Sequence, residues 1–287
     1  MKNKILIDIQ KQLFEFTKKK FSKKYIFTNI LPIIEYISKS NNTKFLIAGT
    51  QGIGKSTLIK ILKINIQKYY NKKIITLSLD DYYYSKNKRL KLSKTTHHLF
   101  KTRGVPGTHN INQLKKNIND FEKSNYPISI PIFDKLADDI SKKIRKEKIK
   151  KNILILEGWC CGCPPLDEAY LYKNINRLEF TEDKDFIWRK NINKSLNNEY
   201  KKLFKMFDDI LFLKAPSFKF VLSWRIRQEK MNKSKNKSSK KMSTKEIKYF
   251  ISHYEKITKW MLKKMPRISN LVINVNEKQE LYKIKFN

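Results

Sequence analysis

Three observations predict an α/β chain built on a mostly parallel five-stranded sheet with helices on both faces. Five short apolar runs recur along the 287 residues: "TKFLIAG" (43–49), "KIITLSLDD" (73–81), "NILILEGW" (152–159), "DILFLKAP" (209–216) and "NLVINVN" (270–276). Each has the length and apolar continuity of a buried parallel strand. Stretches with helical spacing separate them, which is the pattern of βαβ units. The first run leads through a glycine-rich turn into a helical pattern that carries Leu58, Ile59, Leu62 and Ile66.

Taken in order, residues 1–40 read as amphipathic helices with basic faces and no catalytic motif. The second strand ends in the carboxylates Asp80 and Asp81, and the third ends at Glu157. "MNKSKNKSSKKMS" (231–243) is polar and of low complexity, and is expected to be a mobile loop. Ser243 and Glu246 then form a capping-box pattern. The helix that follows carries Ile247, Phe250, Ile251, Tyr254, Ile257 and Met261 on one face and is expected to stop before Pro266.

Composition narrows the class. A 40% hydrophobic content with 12% aromatic residues supports a packed core. No run approaches eighteen uninterrupted apolar residues, so no membrane span is expected. The start, "MKNKILIDIQKQLFEF", has no signal-peptide core, which makes a cytoplasmic location the expectation. Cys160, Cys161 and Cys163 lie too close together for an ordinary disulfide framework, and the histidines form no spaced metal pair with them. The net charge of +37 suggests nucleic acid or an anionic surface. Lys, Asn and Ile are abundant everywhere, however, so compositional drift explains the charge better than a nucleic-acid partner. Where lysine replaces arginine so widely, the remaining arginines mark places that need a planar fork. Arg103, Arg225 and Arg227 fall within motif stretches.

The chemistry starts at "GTQGIGKST". Gly49, Thr50, Gln51, Gly52, Ile53, Gly54, Lys55 and Ser56 match G-x-x-x-x-G-K-[ST] in full, with Thr57 following, between a strand and a helix. Such a P-loop curls its backbone N–H groups around phosphate oxygens at a positive helix end. Lys55 reaches the β- and γ-phosphates, and the Ser56 hydroxyl suits Mg²⁺. The fold expected is therefore the three-layer P-loop NTPase fold. A carboxylate from Asp80 or Asp81 can accept the proton of an attacking hydroxyl, and strand alternation aims only one of the pair at the phosphates. Glu157 stands where a Walker B acid would hold Mg²⁺ through water, or else is structural.

Further stretches resemble one family. "SLDDYY" (78–83), "RGVPGTH" (103–109), "IPIFDK" (130–135), "LEGWCCG" (156–162), "SWRIRQE" (223–229) and "MSTKEIKYFISHYEKITKWML" (242–262) occur in the order of the D-glycerate 3-kinase family. That family belongs to the P-loop kinases with uridine kinase, phosphoribulokinase and pantothenate kinase. The resemblance spans about residues 43–276. It implies ATP and Mg²⁺ with a small-molecule hydroxyl acceptor, and a sheet with the P-loop strand central and the Glu157 strand beside it. Residues 1–42 then read as an N-terminal helical extension and 43–287 as the kinase domain. Asp80 matches the family's catalytic carboxylate, with Lys55 and the lid residue Arg225 as its catalytic partners. Arg103 and His109 match the loop that approaches the acceptor, and Lys135 is a further acceptor contact. A rigid Pro106–Gly107 type II turn is the other reading of that loop. Two departures stand out. Asn110 replaces the family's Asp after G-T-H, and Ile140 stands where a Gly-Asp-Arg segment would place its arginine. The reading is an ATP-dependent kinase acting on D-glycerate to give 3-phosphoglycerate. The alternatives are another acceptor (a nucleoside, pantothenate or a sugar phosphate) or, more remotely, a nucleic-acid-associated ATPase.

Overall fold

In the computed structural model, which describes residues 2–235 and 242–287, five parallel strands stand side by side. They are β1 (Lys44–Gly49), β2 (Ile74–Ser78), β5 (Ile153–Gly158), β6 (Asp209–Lys214) and β7 (Leu271–Val275). The remaining strands are β3 (Ile128–Asp134), β4 (Asp139–Glu147) and β8 (Leu281–Phe286). The main sheet runs β2-β5-β1-β6-β7-β8, so the P-loop strand β1 is central with β5 beside it. Ile47 pairs with Glu157, and Ser78 on β2 pairs with the same Glu157. Three carboxyl ends therefore meet at one edge, where open α/β sheets bind ligands.

All five expected strands are present, and the sheet has a sixth. β8 pairs antiparallel with β7, and β3 pairs with β4 in a separate hairpin. β4 and β8 escape a search for continuous apolar runs because "DISKKIRKE" and "LYKIKF" carry lysines along exposed, one-sided strands, and β3, "ISIPIFD", is interrupted by Ser129 and Pro131. The second strand also stops earlier than expected. A single 3-10 turn, Leu79–Tyr82, takes over after Ser78, so Asp80 and Asp81 sit on a turn.

Helices α1 (Lys2–Thr17), α2 (Lys23–Asn29), α3 (Leu31–Lys39) and α4 (Lys55–Tyr70) cover one face of the sheet. Beyond them come α5 (Lys86–Thr95), α6 (Ile111–Glu122), α7 (Glu168–Tyr172), α8 (Arg177–Glu182), α9 (Ile187–Ser195), α10 (Lys201–Phe204), α11 (Phe218–Lys235) and α12 (Thr244–Ile268). Residues of α6, α9 and α12 close the opposite face. Strand alternation divides the two cores: Phe45, Ile47, Ile153, Ile155, Leu211 and Leu213 point one way, and Leu46, Ala48, Leu154, Leu156 and Phe212 the other. Buried side chains of this size each contribute about 1.5–3 kcal/mol, so the paired cores carry the fold.

Two helix boundaries correct the sequence expectation. Residues 231–235, expected in a polar loop, are the end of α11, and the rest of that run, 236–241, lies outside the described residues. Helix α12 has its capping box, Ser243 with Glu246, but runs through Pro266 in its last turn to Ile268. Among the described residues, no helix is long and apolar enough to cross a membrane.

Candidate active site

The P-loop comes first because the backbone builds it. Gly54 caps α4 at φ 104°, a left-handed conformation that a Cβ would strain. It offers no side chain to the first N–H groups of α4, which leaves them for an anion. The Lys55 amine donates to the carbonyls of Gly49 (2.7 Å) and Thr50 (3.1 Å), and so arches back over the loop. Ser56 is exposed at the mouth. Among the described residues, the buried hydroxyl of Thr50 and amide of Gln51 have no hydrogen-bond partner.

Two contacts on the flanks of the loop were not legible in the sequence. Helix α11 packs so closely that a Cβ at Gly52 would lie 3.1 Å from that of Trp224. Gln279, in the β7–β8 turn, donates to the Gly52 carbonyl at 2.5 Å. Arg225, the next residue on α11, has its guanidinium 5.9 Å from the Phe250 ring.

The carboxylates stand beyond the P-loop, and the two aspartates diverge. Asp80 turns toward the P-loop side, where Tyr83 donates to it at 2.7 Å and the Lys135 amine binds it at 2.6 Å. Burial pushes its carboxyl up, but Lys135, Tyr83 and Lys55 outweigh that and bring it down to about 2. Asp81 turns away and accepts from the backbone N–H of Phe133 at 3.3 Å, which ties β3 to the turn. Glu157 is raised by burial, opposed by Lys55. Its one oxygen accepts from the Ser78 hydroxyl at 2.6 Å. Ser78 lies in the "SLDDYY" stretch, and its place opposite Glu157 becomes visible only once β2 pairs with β5. Asp80, Glu157, Lys55 and Lys135 thus form one cluster of two carboxylates and two ammonium groups, in which the lysines act on both carboxylates.

The 103–109 loop is held from three elements. Trp159 at the end of β5 donates its indole N–H to the Gly104 carbonyl (2.8 Å). Tyr254 of α12 donates to the Arg103 carbonyl (2.6 Å). Tyr200 reaches both the Gly107 N–H (3.2 Å) and His109 Nδ1 (2.5 Å). Thr108 N–H bonds back to Val105 with Gly107 at φ 95°, which is the type II turn. The His109 ring is fully buried against Tyr83 and Tyr200, burial pulls it down to about 3, and its Nε2 has no hydrogen-bond partner among the described residues. Arg103 does reach the site's edge, where it pairs with Asp138 and lies 5.3 Å from the Phe133 ring. Ile140, on β4, is exposed.

The donor set suits the groups such a site would hold. An uncapped helix end with an arched lysine fits a phosphate chain. A buried carboxylate with a hydroxyl neighbour and the exposed Ser56 fit a hydrated divalent cation. The fold and these residues define a P-loop kinase. No protein-family model matches the chain. It is 30% identical over 242 residues to the uncharacterized kinase mug58 of Schizosaccharomyces pombe, covering 80% of this chain and 85% of that one. It is 27% identical over 281 residues to the probable ATP-dependent kinase TDA10 of Saccharomyces cerevisiae, covering 88% and 92% of the two. Its fold superposes on D-glycerate 3-kinase of Cryptococcus neoformans with a TM-score of 0.72 at 24% identity, over 90% of this chain and 96% of that one. The chain belongs to the same family of P-loop kinases as mug58, and is a phosphotransferase.

Proposed function

We propose that the protein transfers the γ-phosphoryl group of ATP to a small hydroxy-acid, with D-glycerate giving 3-phosphoglycerate. The observation that carries this reading is Asp80, held beside Lys55 and Glu157 at the edge where β1, β2 and β5 end. In this reading Gly49–Thr57 cradle the triphosphate, Lys55 and Arg225 neutralise its charge, and Ser56 and Glu157 hold Mg²⁺. The metal supplies charge neutralisation between the phosphates. Residues 1–42 serve as a helical extension seated on α4 of the kinase domain, 43–287.

The chemistry of a carboxylate shapes the role of Asp80. Any carboxylate is a poor base toward a free alcohol, whose proton is far less acidic. Asp80 therefore works first as a hydrogen-bond acceptor that aims the hydroxyl. It takes the proton late, after the loose transition state has made the attacking oxygen acidic. Lys135 leaves Asp80 as the acceptor enters, and Arg103 receives the acceptor's carboxylate.

One observation favours a second reading, a different acceptor on the same machinery. Ile140 leaves β4 without the cation that the family pattern places there. ADP release should be measured with Mg·ATP and D-glycerate, uridine, pantothenate or ribulose 5-phosphate, added singly. Stimulation by D-glycerate alone is the expected result. Stimulation by one of the others instead would replace the glycerate reading with the second one.

A further inference from the structure

One turn supplies both of the charges that meet the acceptor-facing residues. Residues 134–139 link β3 to β4 and stand out from the body, with Leu136 75% exposed at the tip. From this turn Lys135 binds Asp80, and Asp138 binds Arg103. Asp138 also meets Arg89, whose Nη2 lies 2.9 Å from the other carboxylate oxygen. The two arginines are not equivalent. Arg89 is buried and already donates to the carbonyls of Tyr84 (3.2 Å), Lys101 (2.8 Å) and Asp138 (2.6 Å). Arg103 has Asp138, the distant carbonyl of Lys135 at 3.5 Å and the Phe133 ring. Asp138 sits at φ 54°, in the left-handed region that aspartate enters at some cost. A guanidinium fork at the site's edge thus already grips a carboxylate, and the chain itself provides it from a strained position.

We propose that Asp138 is a specificity-determining residue: its carboxylate stands on Arg103 where the carboxylate of an anionic acceptor would bind, and the acceptor must displace it. The proposal rests on the reading of Arg103 as the acceptor's clamp. Displacement is feasible because Arg89 keeps a partner for Asp138 once Arg103 is taken, so no buried charge is left alone. It also selects. A hydroxy-acid brings a carboxylate that can replace Asp138 and a hydroxyl that can replace Lys135 at Asp80. A neutral polyol brings only the hydroxyl, and leaves the Arg103–Asp138 pair intact. The cost is affinity, because every anionic acceptor competes with a carboxylate already in place.

The test uses the full chain and its variants Asp138→Asn and Asp138→Gly, both of which tolerate the left-handed backbone. Binding of D-glycerate, of L-lactate (a carboxylate without the terminal hydroxyl) and of glycerol is titrated calorimetrically with Mg·ADP present. Turnover of D-glycerate is followed with Mg·ATP. Both carboxylates should bind the variants about 10–100-fold more tightly than the parent, with glycerol binding unchanged. Equal or weaker carboxylate binding by both variants overturns the proposal and makes Asp138 a support that holds Arg103 in place. If carboxylate binding tightens while none of the three proteins phosphorylates D-glycerate, the glycerate reading falls and the role of Asp138 stands. If D-glycerate is turned over and carboxylate binding does not tighten, the glycerate reading stands and the role of Asp138 falls.

Discussion

On the phosphate side, Gly54, Lys55, Ser78 and Glu157 sit at the ends of β1, β2 and β5 or on the first turn of α4. Across from them, Arg103, Lys135 and Asp138 sit on a loop and an exposed hairpin turn. The first group is placed by backbone: a left-handed glycine, a helix end and the register of adjacent parallel strands. The second is placed by side chains reaching across long stretches of sequence, such as Tyr254 to Arg103 and Arg89 to Asp138. Positions fixed by backbone change little without breaking the fold. Positions fixed by side-chain pairs can be altered one residue at a time, which is where a kinase changes its acceptor.

The comparison breaks most easily at Asp80, which touches both sides. Asp80→Asn keeps the shape and the Tyr83 contact but removes the charge that Lys135 binds. Turnover should fall about 10²–10⁴-fold with the KM for ATP nearly unchanged. Steady-state kinetics decide it. Turnover within tenfold of the parent would remove Asp80 from the chemistry and leave it as a partner of Lys135 only.

A more selective change sharpens the phosphate side. Ser78→Ala removes the 2.6 Å hydrogen bond that orients Glu157. Residues that orient a metal-holding carboxylate typically matter about 10–100-fold for metal affinity. The Mg²⁺ concentration for half-maximal activity should rise by that factor, with the KM for the acceptor unchanged. An unchanged Mg²⁺ dependence would make Glu157 structural, the alternative its burial always allowed.

The same contrast explains what could be read from the chain. The glycine spacing and Lys55–Ser56 specify the P-loop locally, and apolar continuity exposes β1, β2, β5, β6 and β7 because these strands are covered on both faces. β4 and β8 are exposed and lysine-rich, so they resemble loops, and β3 is interrupted by Ser129 and Pro131, which hides its strand pattern. Asp80 could be told from Asp81 only by resemblance, since a 3-10 turn replaces the strand end and strand alternation no longer applies. His109 is a related case. Its place in "RGVPGTH" marks the loop, but which residues of a loop face outward depends on Tyr200 and Tyr83, and Tyr200 lies 91 residues away. The partnership of Arg103 with Asp138 has no local signal at all.

His109 also yields the smallest effect, and one that separates packing from acceptor contact. Burial holds its ring at about 3 against an ordinary 6.5, with Asp80 the nearest opposing charge. Below pH 6.5 the unfolded chain takes up a proton that the folded protein refuses until about pH 3. The folded state therefore loses stability as the pH falls across that window. Between pH 7 and 5.5 this amounts to about 1.3 kcal/mol from His109 alone. His97 and His253, also pulled down by burial, add to the same slope. Urea unfolding of the parent and of His109→Asn at the two pH values should show the variant losing about 1.3 kcal/mol less on acidification. Its slope should shrink without vanishing, because the other two histidines remain. Equal losses in the two proteins would mean that His109 accepts a proton in the folded state, and so has access to water and to the site that its packing against Tyr200 denies it.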